Sequence, residues 1–233
     1  IICIACAWGY LRLATPVYNI SATVLIKDDK KGGGASMSSE LEKMGLDGFV
    51  SSSNNVDNEI EVLKSKSLAR EVVNNLGLFV TYKDEDEFPS RELYRTSPVV
   101  VSLTPQEAEK LSAPMEVEMT LFPNGGMDVL ITVKDKEYRK QFEQLPAVFP
   151  TDEGTVAFFE SKDTLAVNQA KEESKERHIN AFINRPMSVA KGYIQSLSIA
   201  PTSKTTSVAV LSLKNSNTQR GKDYIDKLLE MYN

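Results

Sequence analysis

The first residues with the spacing of a reactive pair are Cys3 and Cys6, which form a Cys-x-x-Cys sequence and are the two cysteines of the chain. Such a pair takes part in redox chemistry when basic neighbours lower the pKa of one thiol. Ile1–Leu11 contains no charged side chain, so nothing local would activate either sulfur. The pattern therefore predicts two small apolar residues inside a hydrophobic segment.

The single histidine, His178, excludes sites that need two histidines. Ile179, Ala181 and Ile183 alternate along a predicted strand, which places His178 on the opposite face. No H-E-x-x-H or G-x-S-x-G motif occurs in the chain. We therefore expect a half-exposed structural histidine.

The densest carboxylate group is Asp84–Glu87, four consecutive acidic residues. Calcium loops space their ligands and include a tight glycine turn, which this run lacks. The run therefore predicts a solvated acidic loop. The chain has 32 acidic residues, which always offer some carboxylate pair, so the sequence gives no specific indication of glycoside hydrolysis.

Phosphate-binding loops are also missing from the sequence. Thr202–Thr206 has the polar character of such a loop but no glycine to bring backbone N–H groups to a phosphate, and Gly32–Gly34 lacks the G-x-G-x-x-G spacing. The sequence accordingly predicts no catalytic, cofactor-binding or metal-binding residue, and no cofactor.

Composition predicts a folded chain. Of its 233 residues, 41 % are hydrophobic and 25 % charged, with 27 Lys and Arg against 32 Asp and Glu, a net charge of −5. This balance is ordinary for a globular protein. The acidic excess argues against nucleic acid as a partner.

The N-terminal segment Ile1–Leu11 is apolar throughout. It is shorter than the about 20 residues that a membrane-spanning helix requires. Trp8 and Tyr10, followed by Arg12, match the residues that anchor helices at a membrane surface, so we expect residues 1–12 to be the end of a truncated transmembrane helix. The apolar part of a signal peptide and a buried core element are the alternatives.

Strands and helices are interspersed along the rest of the chain. Alternating or continuous apolar residues predict strands over Tyr18–Lys27, Leu78–Tyr82, Pro98–Leu103, Met115–Phe122, Met127–Val133, Val148–Phe149, Thr155–Phe159, Ile179–Ile183 and Ser207–Leu213. Pro123–Gly126 predicts a hairpin turn between two of them. Residues 32–55, rich in glycine and serine, predict a mobile excursion.

Four helical regions complete the pattern. Asp57–Leu76 predicts two short helices, because its apolar phase jumps at Lys64–Ser67; Ser67 is the expected second cap and Gly77 the expected end. Further helices are predicted from the capping box that begins at Thr104, from Pro186 and from Asn217. The expected class is α+β, a mixed sheet packed with short helices, with the C-terminal helix continuing beyond the fragment.

The predicted C-terminal helix carries an apolar stripe at i, i+3, i+4 and i+7 spacing. We take it as the candidate self-association surface, formed by Ile225, Leu228, Leu229 and Tyr232.

Several blocks of the sequence resemble the chain-length-determinant (Wzz-like) domains of bacterial polysaccharide co-polymerases. They are Tyr18–Ile26 after the apolar segment, Asn58–Ser67 running to Val72–Leu78, Arg185–Ala190 with Leu197–Pro201 and Ser207–Leu213, and Asn217–Gly221 with Leu228–Asn233. The last block is similar to versions fused to a cytoplasmic tyrosine autokinase, although Thr218 stands where many relatives have proline. The resemblance is weak over residues 80–175.

The resemblance implies that residues 13–233 form an extracytoplasmic domain facing the periplasm, anchored in the bacterial inner membrane by the N-terminal helix. Such domains form homo-oligomers that regulate the chain length or export of capsular polysaccharide or exopolysaccharide, with a polymerase or an outer-membrane export channel as possible partners. The fragment itself is then not an enzyme, and any kinase domain lies outside it. An adaptor domain of an envelope secretion complex and an envelope glycan hydrolase are the alternatives.

Overall fold

The computed structural model describes Cys3 and residues 16–26, 56–162, 175–203 and 208–233. The chain divides into two compact units. The larger unit comprises Ile1–Pro16 and Val73–Val189, and the smaller unit comprises Val17–Val72 and Ala190–Asn233. The predicted membrane segment at 1–12 and the predicted excursion at 32–55 lie outside the described residues, Cys3 excepted.

The smaller unit contains a three-stranded antiparallel sheet. Its strands are β1 (Tyr18–Leu25), β11 (Leu197–Pro201) and β12 (Val208–Asn215), in the order β1-β12-β11. One face is apolar, because alternate residues of the central strand, Ala209, Leu211 and Leu213, are fully buried. The predicted central strand is therefore confirmed.

One helix of the smaller unit lies between β1 and β11 in the sequence, and another follows β12. Residues 56–63 form α1. The C-terminal helix α5 (Thr218–Tyr232) contacts β1 and β12. Its close approach to β1 depends on Gly221, where a Cβ would lie 2.6 Å from Cδ1 of Ile20.

The boundaries between the two units fall within two further helices, α2 (Lys66–Leu76) and α4 (Pro186–Ser196).

The predicted break between α1 and α2 is confirmed, but the predicted cap is wrong. Ser65, not Ser67, caps α2, since its Oγ accepts a hydrogen bond from the Leu68 N–H at 3.4 Å. Gly77 ends α2 with a φ of 63°, and the Leu78 N–H donates back to the Val73 carbonyl at 3.0 Å.

The larger unit contains a six-stranded antiparallel sheet with the order β3-β2-β10-β5-β6-β7. Its strands are β2 (Val80–Asp84), β3 (Arg91–Glu92), β5 (Met115–Leu121), β6 (Met127–Val133), β7 (Lys136–Phe142) and β10 (Arg177–Ile183). The predicted hairpin is confirmed as β5 and β6, whose register pairs Met115 with Val133 and Leu121 with Met127. Alternate residues of β5, β6 and β10 face a common apolar core.

A second sheet of the larger unit has the order β4-β9-β8. It consists of β4 (Val99–Ser102), β8 (Ala147–Thr151) and β9 (Gly154–Glu160). The short helix α3 (Pro105–Lys110) follows β4 and has the predicted capping box between Thr104 and Glu107. Phe142 of β7 contacts the rings of Phe149 and Phe158 on this second sheet, with centroids 6.0 and 5.9 Å away.

The predicted α+β class is confirmed, with one difference in arrangement. Strands of the described residues form three sheets instead of one, and each of their pairings is antiparallel. No helix within the described residues is both long and apolar enough to cross a membrane.

Candidate functional site

The C-terminal helix α5 is fixed at its N-terminus by its cap. Asn217 has an extended backbone, and its Oδ1 accepts a hydrogen bond from the Arg220 N–H at 3.0 Å, as predicted. The apolar stripe repeats every three to four residues, so one side of the helix faces the core. The helix therefore has a fixed start and a fixed orientation against its sheet.

The four residues of the predicted self-association stripe have two different environments. Ile225 and Leu228 are 2 % and 0 % exposed, so they belong to the core. Leu229 and Tyr232 are half-buried. The proposed contact with a neighbouring copy stays a prediction, but Ile225 and Leu228 offer no accessible surface for it. In folded proteins most of the stability of a helix comes from packing its apolar face against the rest of its domain, as Ile225 and Leu228 do here.

Tyr232 has a role within the fold. Its hydroxyl donates a hydrogen bond to Oε2 of Glu59, a residue 173 positions earlier in α1. On the same helix, Nζ of Lys227 lies 2.9 Å from Oε1 of Glu230. The end of α5 is therefore tied to α1, leaving Leu229 as the member of the stripe with the clearest access to a partner.

A cluster of two tyrosines and one arginine lies buried in the smaller unit. The rings of Tyr193 and Tyr224 stack with centroids 4.1 Å apart and an interplanar angle of 11°. Nε of Arg220 donates to the Tyr193 hydroxyl at 3.0 Å, whereas the Tyr224 hydroxyl is buried without a hydrogen-bond partner. Burial raises the pKa of Tyr224. Sequence inspection missed this cluster, because aromatic spacing alone does not show which rings meet.

The predicted solvated acidic loop is correct for three of its four residues and wrong for Asp84. Glu85, Asp86 and Glu87 are exposed, but Asp84 is 3 % exposed and lies 2.9 Å from Nη2 of Arg177. Asp84 is the last residue of β2 beside β10, so the partner strand brings the guanidinium to it. Buried carboxylates require such a partner.

His178 is half-exposed, as predicted, and binds the same loop. Its backbone N–H donates to Oδ2 of Asp86 at 2.8 Å, and its ring Nδ1 lies 2.9 Å from Oδ1. Burial alone would raise the pKa of Asp86, but these hydrogen bonds outweigh it, so the pKa lies below its ordinary value. Asp86 and His178 therefore hold the β2–β3 connection against β10.

Other polar groups in the larger unit also stabilise the fold. Oε1 of Glu107 accepts from the Thr155 N–H at 3.2 Å, in addition to its capping contacts. The Tyr82 hydroxyl bonds both the N–H and the carbonyl of Val101, and burial raises the pKa of Tyr82 to about 12. Within the described ranges, no group of three or more His, Cys, Asp or Glu side chains is placed to hold a metal ion.

Comparison with known proteins found a similarity over the N-terminal third of the chain. Residues 1–76 match the family model described as Wzz, chain length determinant protein. This match includes β1, α1 and α2, and a search of curated proteins found no match. Members of the family determine polysaccharide chain length and are membrane-associated. Over residues 1–76 the chain is therefore similar to a Wzz-like, chain-length-determinant domain.

Proposed function

We propose that this chain is an envelope-facing domain that associates with copies of itself and thereby regulates the length or export of a capsular polysaccharide or exopolysaccharide. The observation that carries the proposal is the match of residues 1–76 to the chain length determinant family. In this account the domain faces the periplasm and is held at the bacterial inner membrane by its N-terminal segment.

Self-association gives a physical route to length control without bond-making chemistry. A contact repeated head to tail between identical subunits closes into a ring when the rotation permits. Anchoring all subunits in one membrane raises their effective concentration, so that a weak contact suffices. The assembled surface, rather than any single residue, then acts on the growing polymer.

We propose that the fragment itself is not an enzyme. This follows from the family role and from the sequence, which lacks the motifs of nucleotide-binding and hydrolytic sites. It agrees with the positions of Asp84, Asp86 and Glu107, whose carboxylates are engaged in internal ion pairs or hydrogen bonds. The proposed partners are further copies of the chain, a polysaccharide polymerase and an outer-membrane export channel, and nucleic acid is not among them.

Light scattering of the full chain in detergent tests the self-association. Leu229→Glu places a charge on the accessible part of the α5 stripe and should lower the mass of the assembly. Thr218→Glu is the matched control, because it adds the same charge to the exposed first turn of the same helix, where the dipole favours it. A wild-type chain that is strictly monomeric contradicts the proposal.

A second experiment distinguishes length control from an adaptor function, by measuring copurification with an export channel and the length of the polymer after the protein is removed. An adaptor would copurify with an export channel, while removing it would leave the length distribution of the polymer unchanged. That result would overturn length control as the function of the domain.

A further inference from the structure

Phe88 is the most exposed of the large apolar side chains that the structure describes, at 88 %. It lies in the connection between β2 and β3, directly after three exposed acidic residues, Glu85, Asp86 and Glu87. Large aromatic rings supply much of the binding energy of a protein interface when a partner buries them. Phe88 is therefore a candidate for contact with another molecule.

The connection that carries Phe88 is held in place before any partner binds. The Asp86 N–H donates to Oδ1 of Asp84 at 3.1 Å, and Oε2 of Glu87 lies 3.5 Å from Nε of Arg91 on the other side of Phe88. The contacts of Asp86 with β10 add a further attachment. A side chain presented by a fixed loop loses less conformational entropy on binding.

The outward face of the β4-β9-β8 sheet is apolar at its centre. Alternate residues of each strand are buried against the core, so the residues between them point outward. Three of these outward residues, Val100, Val148 and Phe159, are 41 %, 53 % and 46 % exposed. Contiguous apolar surface of this kind marks interaction sites. We define the apolar face by five outward residues, namely Val100, Ser102, Val148, Ala157 and Phe159.

Strand register places the two smallest residues of the apolar face side by side. Ala157 pairs with Ser102 on one neighbouring strand and with Val148 on the other, and Val100 pairs with Phe159. The short side chains of Ala157 and Ser102 therefore form a depression that the three larger side chains border. Because neighbouring strands lie about 4.8 Å apart, a depression two strands wide has room for one aromatic ring.

Charge directs the loop that carries Phe88 to this face. Glu85–Glu87 would bring three carboxylates to any surface that Phe88 contacts. The outward face of the six-stranded sheet has carboxylates of its own, at Glu116 and Glu118 among others, and would repel the loop. The apolar face has no charged residue, and exposed Lys162 follows Phe159 by three positions at its border. The apolar face is therefore the better match for an acidic loop.

We infer that Phe88 of one copy of this chain packs on the apolar face of the next copy, over Ala157 and between Val148 and Phe159. The inference deepens the proposed self-association and rests on it. It adds a contact between neighbouring larger units to the one proposed at Leu229. Burial of the Phe88 ring and of the apolar face supplies the free energy of this contact.

The contact is head to tail because its two halves lie on different surfaces. The inward side of the β4-β9-β8 sheet carries Phe149 and Phe158, whose rings contact Phe142 of β7. The apolar face is on the opposite side of that sheet, whereas Phe88 follows the end of β2 in the six-stranded sheet. A heterologous contact of this kind repeats from copy to copy and closes into a ring when the rotation permits. With the rotation axis perpendicular to the membrane, every copy keeps its anchor in the same membrane.

Site-directed cross-linking of the full chain tests the contact. Two versions with different tags, one with Phe88→Cys and one with Val148→Cys, are coexpressed in a C3S/C6S background, which has no other cysteine. Both replaced side chains are exposed, so both versions should fold. In detergent, a short bismaleimide should join the two versions to each other, whereas either version expressed alone should give no cross-linked dimer.

Glu118→Cys is the matched control for Val148→Cys, because it places an exposed thiol on the outward face of the other sheet of the same unit. Together with Phe88→Cys it should give at most about a tenth of the mixed product. Equal cross-linking of Phe88→Cys to both positions contradicts the assigned face. A product formed mainly between two Phe88→Cys copies shows a twofold contact and overturns the inference as well.

Light scattering of the full chain in detergent adds a measurement of affinity. Phe88→Ser should weaken self-association by about tenfold, because the contact loses its aromatic ring. Phe88→Met keeps a large apolar side chain and should stay within about threefold of the wild type. If the wild type assembles and Phe88→Ser assembles equally well, the Phe88 contact is overturned while self-association stands. A monomeric wild type overturns both proposals.

Discussion

Tyr193 and Tyr224 stack face to face with ring centroids 4.1 Å apart, yet only the Tyr193 hydroxyl has an identified partner, Nε of Arg220 at 3.0 Å. The Tyr224 hydroxyl is fully buried and unpaired. The two tyrosines of this cluster therefore differ in what their hydroxyl groups contribute to the stability of the fold. Burying a polar atom without a partner costs free energy, whereas a satisfied one is close to neutral or better.

Removing the two hydroxyls should have different effects on stability. Tyr224→Phe removes an unsatisfied group, so the free energy of unfolding should stay the same or rise by up to about 1 kcal/mol. Tyr193→Phe removes the hydroxyl that accepts the hydrogen bond from Arg220, so it should lower the free energy of unfolding by about 1–2 kcal/mol. Denaturant unfolding measures both values, and a larger loss for Tyr224→Phe than for Tyr193→Phe would show that the Tyr224 hydroxyl has a partner.

The Asp84–Arg177 pair should be important for the stability of the larger unit. Asp84→Ala leaves a largely buried guanidinium without its carboxylate, which should cost about 3–5 kcal/mol of unfolding free energy. Asp152→Ala is the control, because Asp152 pairs with Lys136 at 3.3 Å on the surface, where solvent screens the pair, so this substitution should cost far less. Equal effects of the two substitutions in urea unfolding would contradict the burial of Asp84.

Asp86 should make the β2–β3 connection sensitive to acid. Its folded-state pKa lies below the ordinary 3.8, so its contribution to stability is present above that value. The contribution is lost as the pH falls through the lower pKa of the folded state. His178→Ala removes the ring contact and should raise the pKa of Asp86, which a carboxyl NMR titration measures. An unchanged midpoint would show that the ring of His178 does not hold the carboxylate.

Gly221 should be the position in α5 that tolerates a side chain least. A Cβ there would lie 2.6 Å from Cδ1 and 3.3 Å from Cγ1 of Ile20, so Gly221→Leu should lower the free energy of unfolding by about 1–3 kcal/mol. Gly192→Ala is the control, since no atom lies within 4 Å of its Cβ position in α4. It should raise stability by about 0.5–1 kcal/mol. Similar losses for both glycines would mean that α5 does not approach β1 so closely.

Apolar alternation and capping side chains predicted those strands and helices whose conformation is determined by residues close to one another in the sequence. The β5–β6 hairpin has a strict apolar alternation around Pro123–Gly126, and the Thr104 and Asn217 caps have the side chains that helix starts require. Strand β7 was missed because only Tyr138 and Phe142 among its seven residues are apolar. Its strand conformation comes from pairing with β6, which no local pattern shows.

The candidate site was less predictable, because its contacts connect distant parts of the chain. Asp84 and Arg177 are 93 positions apart, and Glu59 and Tyr232 are 173 apart. The α5 stripe was recognised as apolar, but the sequence could not distinguish a stripe that packs on its own sheet from one that meets a neighbour. Burial of Ile225 and Leu228 is a tertiary property.

The most direct test of the central claim is the length distribution of the envelope polysaccharide in cells whose own copy of this protein has been deleted. Reintroducing the wild-type protein should restore a distribution confined to a characteristic length, and the Leu229→Glu protein, expressed at the same level, should leave it broadened or shifted. A distribution that is the same with the wild-type protein, with the variant and with no protein would contradict length control by self-association.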